Sequence, residues 1–390
     1  MTNQAQQISR DSFGRRIWKR TLGGVGVKFA LAWLAILMVM AVFAPFLANS
    51  MPLIMRKNGE ITWPVLSYLS IEDVVVLAAF VIALILWGLP LRFRSWLIGF
   101  VALTAAVVVL ANVLIKPPQL IIYSDFRSSE YTVFDWRVMP PVPYAPTDYL
   151  RDSQQLPLQS PDTTHWMGTE ENGGDVLSRM IHASRIALSI GIVATGIAMV
   201  IGIIIGGFMG YFSGVVDMIG MRLVEVFEAI PTLFLLLTFV AFFGRSLYMM
   251  MVIIGLTSWS GYARYIRAEF LKLRKQDYVQ AAIASGLPLR SILFRDMLPN
   301  GVAPLLVGMS FGVAAAILAE ATLSFLGLGL VDAPSWGQML NQAVKSATFN
   351  WWMAVFPGGA IFLTVFAYTL LGEAFRDAID PTLSRTAGVN

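Results

Sequence analysis

Apolar stretches long enough to cross a bilayer recur along this chain and constrain its fold more than any other feature. They lie near residues 29–48, 72–91, 96–115, 187–211, 219–243, 248–268, 303–326 and 352–374. A hydrocarbon core about 30 Å thick is crossed by roughly 20 helical residues. Lipid offers no partner to a backbone N–H or C=O, so runs of this length are helices, and the short alternating segments of a barrel are absent. The expected fold class is all-α, a polytopic transmembrane helical bundle of about eight spans, or of six with one re-entrant pair. Composition agrees, with 57% hydrophobic and 13% charged residues against about 45–50% and about 25% in a soluble domain.

The 28 Lys and Arg outnumber the 24 Asp and Glu. In a soluble protein a basic balance would raise nucleic acid as a partner; here the cations sit at the ends of apolar runs, where membrane orientation uses them. Arg10, Arg15, Arg16, Lys19, Arg20 and Lys28 precede the first run, which is too long for a cleavable signal core. Arg92 and Arg94 lie between the second and third runs, Lys272, Arg274, Lys275, Arg290 and Arg295 in the loop 269–302, and Arg376 and Arg385 at the end. A cytoplasmic tail (1–28) and a cytoplasmic C-terminus (377–390) follow, with N-terminal spans over 29–115, an external Pro-rich loop over 116–186 and a core over 187–376. Arg56 and Lys57 fall outside, where a long segment tolerates charge. At the end of the external loop, Gly173-Gly174-Asp175 can start the helix that enters the next span, with Asp175 at its N-terminus.

The chain carries no energy source of its own. It has no G-x-x-x-x-G-K-[ST] phosphate loop, no H-E-x-x-H and no G-x-S-x-G elbow. The cluster Gly23-Gly24-Val25-Gly26 lacks the preceding strand and the following Lys-Ser/Thr. With no cysteine and only His165 and His182 as imidazoles, thiol chemistry is excluded and no metal site is expected. A serine protease built around His182 finds little support.

Within the loop 269–302, Asp277 to Pro288 reads as a punctuated helix. Asp277 is the expected N-cap, Gln280 its capping-box partner, and Gly286 followed by Pro288 the stop. Tyr278, Ala281, Ala282 and Ser285 recur at helical spacing and form a face that is small except for Tyr278. A second short helix is expected from Leu289 to Met297, ending at Leu298-Pro299. On composition alone this is a pair of surface helices rich in good helix formers.

Gln280-Ala281-Ala282, Gly286 and Leu298-Pro299 resemble the E-A-A, G, L-P loop of ABC importer permeases. Gln280 replaces the consensus Glu, and Asp296 stands where related peptide permeases often have His. The segments Gly168-Thr169-Glu170 with Asn172 to Arg179, Leu323 to Gly329, Pro334-Ser335-Trp336-Gly337 and Arg376 to Pro381 are similar, in order, to the dipeptide and oligopeptide permeases, over roughly residues 160–385. The Asn172-Gly173-Gly174-Asp175 variant, with Pro52-Leu53, Arg56 and Gly59, resembles the microcin C and related peptide importers. The pair at 72–115 looks inserted relative to this family.

The resemblance implies a type I ABC importer permease in a bacterial inner membrane, moving peptides by alternating access. Its partners would be a second permease subunit, two ATP-binding subunits and an extracytoplasmic solute-binding protein. ATP and Mg would sit on the ATPase and no cofactor on this chain. Tyr278, Gln280, Ala281, Ala282, Ser285, Gly286, Leu298 and Pro299 would form the ATPase-coupling segment.

Other residues have two readings. Glu225 and Glu228 share a helix face; they pair structurally with Arg222 or, with Pro231, form a cytoplasmic gate. Pro231 should kink its span. Glu320 is expected to be buried with a hydrogen bond rather than to touch substrate. Gly202, Gly206, Gly210 and Gly214 allow close helix approach, to a partner subunit or internally. Trp351 and Trp352 are expected as interfacial anchors, and His165 as a solvated loop residue. An ion-coupled secondary carrier would show mid-depth acids and inverted repeats; Glu320 is the one deep carboxylate and no inverted repeat is evident. An intramembrane enzyme is the third reading, weakened by the missing motifs.

Overall fold

The structure, a computed structural model, describes residues 24–57, 59–115, 121–123, 126, 135–149, 157–301, 303–330, 333–346 and 348–379. The basic cluster from Arg10 to Arg20, together with Asp380, Pro381 and Arg385, lies outside the described residues. Helices stand at all eight expected places: α1 (Val25–Leu47), α2 (Ile71–Trp87), α3 (Phe93–Leu114), α4 (Val176–Phe212), α5 (Gly214–Ala229), α6 (Thr232–Phe243), α7 (Leu247–Leu273), α8 (Asp277–Ala284), α9 (Ala303–Leu323), α10 (Trp336–Lys345) and α11 (Trp351–Ile379). The short α8 and α10 stand outside the apolar runs.

By length and hydropathy, five segments qualify as spans, and α5 with α6 makes a sixth if that pair, bent by 83°, counts as one. The expected span 219–243 is thus two helices. Pro231 cannot donate to the helical ladder and drives Ile230 to an extended conformation (φ −87°, ψ 122°), so the chain turns sharply where a modest kink was expected. Helix α2 has 17 residues, and α7 interrupts its apolar start with Thr257, Ser258, Arg264 and Arg267.

The chain divides into two compact units. One comprises residues up to Ala35, Ala187–Val331 and Gly358 onward; the other comprises Ile36–Ile186 and Asp332–Pro357. In the first, α4 and α7 are held at backbone contact. A Cβ at Gly202 would stand 2.4 Å from Tyr262 Cβ, one at Gly206 would stand 2.2 Å from the Ala263 carbonyl, and one at Gly210 would stand 2.7 Å from the Arg267 carbonyl. Gly255 answers from the other side, with Ala194 O at 2.9 Å. Contacts that advance together along both helices describe a parallel crossing on small residues. Internal packing therefore accounts for Gly202, Gly206 and Gly210. Gly214 has open space and serves a turn instead. Elsewhere in this unit, Val27 and Ala30 of α1 pack on Ala367 and Leu371 of α11, and Trp33 Nε1 donates to Thr364 Oγ1 at 3.1 Å.

The second unit carries a three-stranded antiparallel sheet in the order β2–β1–β3, where β1 is Ile54–Lys57, β2 is Glu60–Thr62 and β3 is Trp136–Val138. The pair α2–α3 begins at a full capping box: Asp73 N donates to Ser70 Oγ at 3.1 Å and Ser70 N to Asp73 Oδ2 at 2.9 Å. Asp73 also receives Arg185 Nη1 at 2.5 Å, while Arg185 Nε donates to the Ala41 carbonyl at 3.0 Å. One guanidinium thereby ties α2 to α1 and α4.

If the seam sets the fold, Gly206→Ala should lower the thermal midpoint of the detergent-purified chain, at a cost of about 1–3 kcal/mol for overpacking. Gly196→Ala, where the added methyl meets nothing within 4 Å, should leave the midpoint unchanged or raise it. Equal melting of the two variants in a fluorescence-detected thermal assay would exclude the seam as the cause.

Candidate functional site

Helix α8 starts differently from expectation. The N-cap is Gln276, without a side-chain cap, and Asp277 is the first helical residue. No capping box forms: with Gln276 as the N-cap the third helical position is Val279, and Gln280 Nε2 donates instead to the Arg274 carbonyl at 2.7 Å. The end is as the sequence indicates. Gly286 adopts φ +69°, Leu287 N donates to Ala282 O at 3.2 Å and Gly286 N to Ile283 O at 3.0 Å. These are the paired bonds of a Schellman turn, which needs a left-handed residue.

The small-residue face divides in two. Ala282 turns inward with Val279 onto Ile292, Leu293 and Met297, whereas Tyr278, Ala281 and Ser285 remain exposed. A helix alternates faces every three to four residues, so adjacent Ala281 and Ala282 fall on either side of the boundary with the core. Large apolar side chains elsewhere in the same loop are exposed as well, which sequence reasoning missed: Ile283, Leu287, Leu289 and Phe294, the last 55% exposed.

The second limb does not stop at Leu298-Pro299. After a turn at Leu289–Ser291 it widens into a π-helix over Ile292–Met297, then continues as helix through Pro299 to Gly301. Proline is tolerated because the preceding turns have already left the ordinary i→i−4 ladder. The π turns bury Ile292, Leu293 and Met297 and leave Phe294 outside.

Of the gate candidates, Glu225 pairs with Arg222 at 2.6 Å across an exposed turn. Glu228 pairs instead with Arg264 of α7. Asp217 at the other end of α5 accepts both Arg267 Nε and Arg267 Nη2, the latter at 2.7 Å. Two ion pairs and the packing of Val224 with Trp259 and Ala263 thus hold α5 to α7. Pro231 forms the bend at the far end of α5. At the near end, Ser213 stands at φ 52°, ψ −162°, a conformation essentially reserved for glycine that costs about 1–3 kcal/mol. Arg274 Nη1 meets it, donating to Ser213 Oγ at 2.8 Å and to Phe212 O at 3.4 Å, with the guanidinium 5.7 Å above the Tyr211 ring. The dipeptide Ser213-Gly214 is a turn signal that could have revealed this junction; nothing in the sequence pointed to Arg274 as its partner.

The segment 157–178 is ordered by buried polar contacts. His165, expected in solvent, is fully buried: Nδ1 lies 2.8 Å from Asp175 Oδ2 and the ring stacks on Tyr144 at 4.5 Å. Its position follows from Asp162, whose Oδ1 accepts His165 N at 2.6 Å and Thr164 N at 2.8 Å. The His165 and Thr164 backbone N–H groups, with the Gln159 amide, hold the Asp162 carboxyl below its usual pKa. Asp175 Oδ1 accepts Ser178 N at 2.7 Å and starts α4, as its sequence position suggests. Trp352 is no interfacial anchor. It is 7% exposed and donates to Thr169 O at 3.2 Å, while Trp351 stays half exposed. Glu320 is buried and accepts Ser324 Oγ at 2.6 Å within its own helical segment. Among the described residues no group of three or more His, Asp or Glu could hold a metal ion.

Comparison with known proteins places these features in a family. A family model described as "binding-protein-dependent transport system inner membrane component" matches residues 202–385. The chain is 38% identical over 247 residues to the dipeptide transport system permease protein DppC of Bacillus subtilis, covering 62% of this chain and 76% of that one. It is 34% identical over 242 residues to the oligopeptide permease protein OppC of Haemophilus influenzae (62% and 77%), and 37% identical over 243 residues to the glutathione permease protein GsiD of Pectobacterium atrosepticum (62% and 80%). A solved inward-facing MetNI methionine ABC transporter is similar at 16% identity and TM-score 0.42, over 52% of this chain and 96% of that one. The chain belongs to the family of binding-protein-dependent transport system inner membrane components.

Proposed function

We propose that this chain is the membrane-spanning permease subunit of an ATP-driven importer of peptides or peptide-like solutes, coupled to its ATPase through the 277–301 loop. Family membership makes it a transport subunit and not an enzyme, and sets aside the ion-coupled carrier. The relatives' dipeptide, oligopeptide and glutathione substrates support a peptide cargo; a cargo of the microcin C kind is a finer version of the same reading.

The observation that carries the coupling site is the exposed surface of α8 and the π-turn. Ala281 and Ser285 leave a shallow place where another backbone can approach, Tyr278 stands on the same side of α8, and Ile283, Leu287, Leu289 and Phe294 are exposed in the same loop. Lys272, Arg274, Lys275, Arg290 and Arg295 put this loop on the cytoplasmic side by the positive-inside rule, with both termini. A contiguous apolar surface in water is a contact surface, and its partner is the ATP-binding subunit. A second permease subunit and an extracytoplasmic binding protein complete the assembly. Transport proceeds as an exchange of inward- and outward-open states, which ATP and cargo shift by binding one state better than the other. Glu225, Glu228 and Pro231 belong to the inner gate.

Ala281→Trp, which fills the shallow place without touching the core, should abolish copurification of ATP-binding subunits while membrane insertion stays normal. Retention of those subunits on affinity-purified Ala281→Trp would refute docking through this face. At Gly286 the penalty for substitution comes from the backbone, because a Cβ there meets nothing within 4 Å. Gly286→Val should cost at least about 1–2 kcal/mol in the left-handed region, and Gly286→Asn less. Hydrogen exchange at the Leu287 amide, whose bond closes the turn, should accelerate in the order Val, Asn, unmodified chain.

A further inference from the structure

Resting on the importer reading, a second feature of the same loop ties it to a distant junction. We propose that Arg274 is a positioning residue of the transport cycle, linking α8 to a strained hinge at Ser213-Gly214 on which α5 pivots. The link is a continuous set of hydrogen bonds. Gln280 of α8 donates through Nε2 to the Arg274 carbonyl at 2.7 Å, and Arg274 donates through Nη1 to Ser213 Oγ at 2.8 Å. Arg274 caps the C-terminal end of α7, so its backbone follows α7 and α8 while its guanidinium holds the start of α5.

Ser213 (φ 52°) and Gly214 (φ 57°) both adopt left-handed conformations. A serine held there needs an external restraint, because its own preference is to leave. Arg274 supplies that restraint through the hydroxyl, the neighbouring Phe212 carbonyl and the Tyr211 ring. The other end of α5 stops at a second break, Ile230-Pro231, where the chain bends by 83°. Between the two hinges, Asp217–Arg267 and Glu228–Arg264 latch α5 onto α7. A displacement of α8 shifts the Arg274 carbonyl, draws the guanidinium from Ser213, and lets the junction relax. Helix α5 then rotates between its hinges and its two latches break. Strain stored at the hinge makes the element two-state, the condition for coupling two sites through a contiguous network.

The chain has no cysteine, so spin labels at Val226→Cys on α5 and Leu256→Cys on α7, both exposed, report their separation by pulsed dipolar spectroscopy. The sample is the full complex in nanodiscs, without nucleotide and with ATP and vanadate. The unmodified chain should show a shift of the distance distribution on adding nucleotide. Arg274→Met should lose that shift while ATP-binding subunits remain bound and hydrolyse ATP, a dissociation that a merely structural defect would not produce. Arg274→Lys, which keeps a donor for Ser213, should recover part of it. Ser213→Gly, which removes the hydroxyl in a conformation glycine accepts, should reproduce the loss and decides the matter if Arg274→Met fails to fold. A full-sized shift in folded Arg274→Met, or in Ser213→Gly, overturns the relay alone. Absence of ATP-binding subunits from the unmodified complex overturns the importer reading and the relay with it.

Discussion

Two helices that meet in a bilayer gain little by hiding apolar surface from one another, because lipid is as apolar as leucine. Close packing must supply the attraction, and in this chain it comes from removing side chains. Gly202, Gly206 and Gly210 of α4 and Gly255 of α7 bring two backbones to distances at which a methyl group would collide with a carbonyl. Much else in that unit is built outward from this seam. Trp259 and Ala263 carry α5, Phe270 carries the buried side of α8, and Arg264, Arg267 and Arg274 project from the same helix to hold α5 and its junction.

Polar groups in this protein are concentrated where helices start, stop or change direction. Asp73 completes the capping box of α2 and receives Arg185, Asp175 caps α4 and receives His165, and Ser213 turns the chain under Arg274. Helix ends leave backbone groups without intrahelical partners, and away from bulk water those groups must find side chains. A carboxylate that serves a helix start and also meets a second side chain does both tasks with one desolvated group. The pair α2–α3 is joined to its unit in this way, through one carboxylate that serves both the helix start and Arg185.

Order is uneven along α5. At its flanks, Ser213-Gly214 and Ile230-Pro231, the backbone leaves helical geometry sharply, while its middle is held by Val224 and two ion pairs. A segment with rigid contacts to one neighbour and hinges at both ends can exchange between two packed positions without unfolding. That is the physical requirement for alternating access, in which packed elements switch between discrete arrangements.

The sequence by itself determined the helical class, the places of the apolar helices and the loop with Gly286 as its stop. These follow from length, apolar pattern and backbone chemistry, all of which are local. It left open, or indicated wrongly, whatever depended on a distant partner. Local spacing suggests a capping role for Gln280, which bonds to the Arg274 carbonyl; solvent for His165, which is buried on Asp175; Arg222 as the partner of Glu228, which meets Arg264; and the membrane interface for Trp352, which donates to Thr169 O. Pro299 looked like a terminus and lies within a helix, because the π-turn before it had already shifted the hydrogen-bond ladder. Only the tertiary structure could decide these points, since a side chain's partner across many residues depends on how helices cross. That crossing was set by which glycines face which backbone.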